Sequence, residues 1–210
     1  MTETVSHGIT LGETSAGTRR RADLCFLALA AQFVIVITLA AAIAPDYDFG
    51  ASAISDLGVI PETALLFNGS LLLVGTLNVL GGYLFYRSHG SRWLLATYVL
   101  TGVGSAGAAL FPLDSGGLHG LFALVAFLFA NGQAIGTATQ VRGAMRPISI
   151  LAGVIGLAFV VLMVIGDSGT TAAFGPIGHG GAERMIVYPA MLWLVAFGGY
   201  LLGQDAEVRP

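Results

Sequence analysis

Six stretches of about 20 residues run through this chain almost free of charge, and that is the length at which an α-helix, rising about 1.5 Å per residue, crosses a hydrocarbon layer of about 30 Å. A water-soluble fold has no means of hiding so much apolar surface. Hydrophobic residues make up 55% of the chain and charged residues 10%, whereas soluble domains are charged at about a quarter of their positions. The expectation is an all-α integral membrane six-helix bundle in one domain, with helices at about 22–44, 64–86, 92–111, 118–141, 147–166 and 183–203. Residues 1–21, polar and without periodicity, read as a disordered cytoplasmic tail, and residues 204–210 as a second cytoplasmic tail.

The arginines orient this bundle. Cytoplasmic loops keep an excess of Lys and Arg, and the chain has no lysine. Arg19, Arg20, Arg21, Arg87, Arg92, Arg142, Arg146 and Arg209 fall on one side of a six-helix arrangement, and only Arg184 falls on the other. Both termini are therefore expected in the cytoplasm, in a cell membrane. Asp46, Asp48, Asp56, Glu62, Asp114, Asp167 and Glu183 collect on the outer side, where the long connections 45–63 and 167–182 lie. The run Arg19–Arg21 before an apolar stretch ending in Ala42-Ile43-Ala44 has the outline of a signal peptide. The stretch is about twice the usual length, however, and Pro45 follows it, so a retained first helix is expected. Arginine without lysine in an Ala- and Gly-rich, slightly acidic chain points to a GC-rich, halophilic source. The charge balance excludes nucleic acid as a partner, and the lone Cys25 excludes an intrachain disulfide.

In lipid, helices associate through small residues and interhelical hydrogen bonds. The second helix lines up Asn68, Gly75, Asn78 and Gly82 on one face. In the fourth, His119, Ala123, Ala126, Ala130, Gln133, Thr137 and Gln140 recur every three or four residues, which places that helix at the centre of the bundle. Pro189 lacks an amide hydrogen and predicts a kink in the last helix. Asp114-Ser-Gly with His119-Gly, and Asp167-Ser-Gly with His179-Gly, suggest a duplicated hairpin.

Polar groups that packing does not explain gather at the outer helix ends: Asp56, Asn68, Asp114, His119, Asp167, His179, Glu183 and Arg184. Ionisable groups at such depths are costly and mark candidate sites. Asp114 and His119 have the chemistry of a general acid/base pair. With His179 they could instead hold a divalent metal, although no His-x-x-x-His spacing supports one and no cofactor is expected. Arg184, one turn from Tyr188, either pairs with Asp56, Asp114 or Asp167 or holds a lipid phosphate. Glu183 reads as a first-turn acid facing the helix dipole. Ser52, Ser55 and Ser115 lack the Gly-x-Ser-x-Gly surroundings of an activated nucleophile.

Ser55-Asp56-Leu-Gly58, Asn68, Phe111-Pro-Leu-Asp114 with His119, and Phe174-Gly-Pro-Ile-Gly-His-Gly-Gly-Ala-Glu-Arg184 leading into Tyr188-Pro189 together resemble the family of small archaeal and bacterial membrane proteins grouped as domain of unknown function 998. The resemblance covers about residues 24–203. It implies a multi-helix membrane fold and no particular activity. Three classes of function stay open: a structural or lipid-binding protein; a membrane enzyme, hydrolase or transferase, acting on lipid or isoprenoid head groups at the outer leaflet; and a small-solute or ion transporter. Membrane lipid is the expected partner, and no protein partner is indicated.

Overall fold

A computed structural model describes the backbone of residues 6–207 and the side chains of residues 21–204. Six long helices account for the fold: α1 (Ser6–Ile43), α2 (Ala64–His89), α3 (Arg92–Leu110), α4 (Gly117–Thr137), α5 (Met145–Asp167) and α6 (Gly178–Glu207). Each contains a segment long and apolar enough to cross a membrane, so the chain is a multi-pass membrane protein. Short 3₁₀ turns at Ser55–Gly58, Leu113–Ser115 and Thr171–Ile177 occupy the connections at one end, the loop-rich end. The other end carries Arg87, Arg92, Arg142 and Arg146.

Most boundaries lie within a few residues of those expected. The largest difference is at the N-terminus, where the backbone is helical from Ser6 although a disordered tail was expected over 1–21. Extending an existing helix adds one hydrogen bond per residue without a new nucleation cost, so a polar lead-in can continue the membrane helix behind it. Residues 1–5 and 208–210 lie outside the described residues. Helix α4 ends at Thr137, short of the expected 141, and α6 starts at Gly178, ahead of the expected 183. Pro189 lies inside α6, which continues as a helix on either side of it.

The helices form a closed ring in chain order, each packed on its sequence neighbours and α6 returning to α1. Helix α4 is therefore not central, as its seam had suggested. A small-and-polar seam turns a helix toward the interior of a ring as well as it would surround a helix at the middle. Half of the apolar stretch of α3 and of α6 is buried, against 28% for α4. The ring is tight where glycines meet. A side chain at Gly75 would strike the Gly102 carbonyl at 2.6 Å, and one at Gly102 would strike that of Gly75 at 2.7 Å. Gly104 sits as closely on the α4 backbone at Phe122 and Ala126. Such contacts replace the hydrophobic driving force that lipid does not supply.

Several polar groups inside the ring satisfy one another. Asn78 on α2 and Gln133 on α4 exchange amide hydrogen bonds at 3.2 Å, and the Asn78 amide also donates to the Tyr98 carbonyl. The Tyr98 hydroxyl reaches Thr137, and the Trp193 indole donates to Ser149. Below them Phe26, Phe85, Tyr98, Trp193 and Phe197 make a continuous aromatic core.

Candidate functional site

The loop-rich end is built around α6. Its first turns are glycine-rich because they lie against backbone. Gly178, at φ +67°, and Gly180 press on the carbonyls of Gly50 and Ser52, where any side chain would collide at 2.4 and 2.0 Å. The Gly181 amide donates to the Gly50 carbonyl. That approach carries the next two side chains, Glu183 and Arg184, into the connection between α1 and α2.

Arg184 is 5% exposed, yet no carboxylate lies within ion-pair distance of it among the described residues. The expected pairing with Asp56, Asp114 or Asp167 does not form. Its Nη1 donates to the carbonyls of Gly180 and Ser52 at 2.8 and 3.1 Å, and its Nη2 to the Tyr47 hydroxyl at 2.6 Å. Its Cζ lies 3.8 Å from the centre of the Phe49 ring. Carbonyl dipoles and aromatic faces thus replace a counter-ion, a role suited to a planar, weakly hydrated guanidinium. The Tyr47 hydroxyl in turn donates to the Ala53 carbonyl. Burial pushes its pKa above the ordinary value, against the lowering effect of Arg184.

Glu183 lies in the second turn of α6, too far in to serve as the first-turn acid expected of it. Its carboxyl instead accepts the amide of Ile54 at the start of the Ser55–Gly58 turn. Asp56 caps the same turn through the Ala53 amide at 2.8 Å, and the Asn68 side chain donates to the Gly58 carbonyl at 2.9 Å. Asp48 accepts the amides of Gly50 and Ala51, which hold its pKa below the usual carboxylate value. The connection is therefore pinned from both of its neighbours.

His119 is buried, and its Nδ1 faces the carbonyls of Phe111 at 2.9 Å and Ala108 at 3.2 Å, at the end of α3. Asp114 is exposed on the 3₁₀ turn and makes no hydrogen bond with it, so the two do not form the acid/base pair that their spacing suggested. His179 instead pairs with Asp167 at 3.1 Å on the partly exposed rim. The two Asp/His motifs therefore do different work. No three His, Cys, Asp or Glu side chains come together as a metal site among the described residues. Tyr188 is half-buried and packs against the main hydrophobic core.

Between α4, α5 and α6 lies a cleft of about 370 Å³. Its body is apolar, formed by Leu124 and Phe127 of α4, Val160, Met163 and Val164 of α5, and Ile186 of α6. Its polar end, at the loop-rich end, is formed by Ser55, His119, Asp167, His179 and Glu183. Leu124 and Val164 are exposed on the outside of the ring, so the cleft opens sideways toward lipid. Toward the arginine end it closes where Asn131 meets α5. The Asn131 side chain lies so close to Gly156 that an added methyl group would sit 1.8 Å from its Oδ1. A narrower cavity of about 80 Å³ lies inside the ring, and Ser55, His119 and Glu183 form part of the wall shared with the cleft.

Of the candidate residues, the cleft brings together His119, Asp167, His179 and Glu183. Asp114 stays at the surface, while Asp56, Asn68 and Arg184 hold the connection and Tyr188 packs in the core. Sequence reasoning named Ser55 as a weak nucleophile and as the start of the Ser55–Gly58 motif, and missed Tyr47 and Phe49 as the platform of Arg184. The one local signal for that platform was the apolar character of the 45–63 connection.

The family model for protein of unknown function DUF998 matches residues 27–200. The chain belongs to this family. The match spans all six membrane helices and the loop-rich end, so the cleft and the Arg184 anchor lie within the DUF998 region. No curated protein and no solved structure matches the chain.

Proposed function

We propose that this protein binds lipid at the outer leaflet of the cell membrane. The arginine end faces the cytoplasm, which puts both termini inside and the polar end of the cleft at the outer surface. The observation that carries the reading is the shape of the cleft: an apolar body open sideways between α4 and α5, ending in a small polar group at head-group depth. Its volume falls in the range of about 300–1,000 Å³ typical of small-molecule sites. Catalysis is less well supported, because no hydrogen bond joins Ser55 to His119 and no other base meets the hydroxyl among the described residues. Transport is less well supported because the ionisable groups of the site gather at one end while the Asn78–Gln133 amide pair crosses the interior.

Gly120 gives a direct test. It lines the cleft, is exposed, and has nothing within 4 Å of where a side chain would start. Gly120→Phe should fill the mouth of the cleft while leaving the fold intact. Native mass spectrometry of wild-type protein extracted from membranes should show a retained lipid that this variant loses. Equal lipid on both proteins, or none on the wild type, would remove the basis for the proposal.

A further inference from the structure

We infer that the cleft selects an amphiphile whose head donates a hydrogen bond, an alcohol or an amine, and disfavours a phosphate head. This rests on the lipid-binding reading above and specifies the ligand class for the same cleft.

The first support is the state of the His119 ring. Its Nδ1 faces two backbone carbonyls, at 2.9 and 3.2 Å. A carbonyl can only accept, so Nδ1 carries a hydrogen, and in the tautomer with its one ring hydrogen there Nε2 is the acceptor. Nε2 has no hydrogen-bond partner among the described residues, although His119 is only 5% exposed and lines both the cleft and the inner cavity. The residue lines the cleft, so a donor on a bound head can reach this nitrogen.

The other groups at the polar end point the same way. Glu183 and Asp167 contribute carboxyl oxygens, and His179 is already engaged with Asp167. The one guanidinium nearby, Arg184, does not line the cleft; its terminal nitrogens donate to Gly180, Ser52 and Tyr47, and its buried Nε has no partner among the described residues. A phosphate would bring acceptors and negative charge to a polar end that holds two carboxyl groups and the His119 acceptor, with no arginine among its lining residues. An O–H or N–H head satisfies Nε2 directly, and an ammonium also suits the carboxyl groups.

The test uses full-length protein in phosphatidylcholine nanodiscs and four probes with the same chain: hexadecanol, hexadecylamine, hexadecyl methyl ether and hexadecyl phosphate. The alcohol and the amine should bind about tenfold more tightly than the ether and the phosphate, the worth of one net hydrogen bond. His119→Phe should lower alcohol binding to that of the ether. Independently of any variant, the nitrogen NMR signal of His119 Nε2 should move on adding hexadecanol and stay in place with the ether. Ether or phosphate binding as tightly as the alcohol would overturn the head-group inference while leaving the lipid-binding reading in place. Failure of every probe to bind in a way that Gly120→Phe blocks would overturn both.

Discussion

Arg184 shows how much one buried cation can organise without a counter-ion. Because its partners are two carbonyls, a hydroxyl and an aromatic face, its contribution should be nearly insensitive to ionic strength, unlike that of an exposed ion pair. Arg184→Met keeps the apolar stem and removes every donor. It should destabilise the protein by on the order of 3 kcal/mol, the scale of losing charge-assisted hydrogen bonds in a buried setting. Melting followed in detergent at low and at high salt should show the same loss in both. Arg184→Lys should recover only part of it, since an ammonium cannot span the same fork or stack on Phe49. From the sequence, Arg184 stood out only as the exception to the arginine pattern. Its partners Ser52 and Tyr47 lie more than a hundred residues earlier, and no periodicity connects them.

At the same scale, Asp48 predicts an acid-sensitive connection. Its folded-state pKa lies below the ordinary 3.8 because the Ala51 and Gly50 amides favour the charged form. The stabilisation it contributes is complete above that ordinary value and is lost as the pH falls through the lowered one. The Gly50 and Ala51 amide signals should therefore move in acid in the wild type. In Asp48→Asn, which keeps an acceptor but does not titrate, they should stay still.

Among the elements, the α4–α5 pair decides whether there is a cleft. These helices touch closely at Asn131, Gly153 and Gly156 and part toward the loop-rich end. Gly156→Ala would force a methyl group onto Asn131 and should cost about 1–3 kcal/mol by overpacking. Gly120→Ala, on the open side of the same pair, should be neutral or slightly stabilising in the same melting assay, since its site is empty and alanine favours helix. The helices themselves, and the inward faces of α2 and α4, were legible from period and length. The separation of α4 from α5 was not, because it depends on where small residues of one helix meet those of another. The seam of α4 read correctly as inward-facing, with His119, Gln133 and Thr137 buried, but a seam carries no information on whether its helix lies in a ring or at its centre.

For the whole molecule, orientation is the property to test. With Cys25 removed, a cysteine at exposed Ser168 should react with a membrane-impermeant maleimide in intact cells, and one at exposed Thr139 only after lysis. The reverse pattern would place the cleft at the cytoplasmic surface. The amino-acid sequence by itself determined the number of membrane helices, their approximate limits and the segregation of arginines to one end. Each of these follows from length, hydropathy and charge read along a continuous segment. Only the tertiary structure decided that the helices close into a ring, that Arg184 rests on Tyr47 and Phe49, and which nitrogen of His119 is left free. Those outcomes depend on which carbonyls, rings and glycines distant parts of the chain bring within a few ångströms of one another.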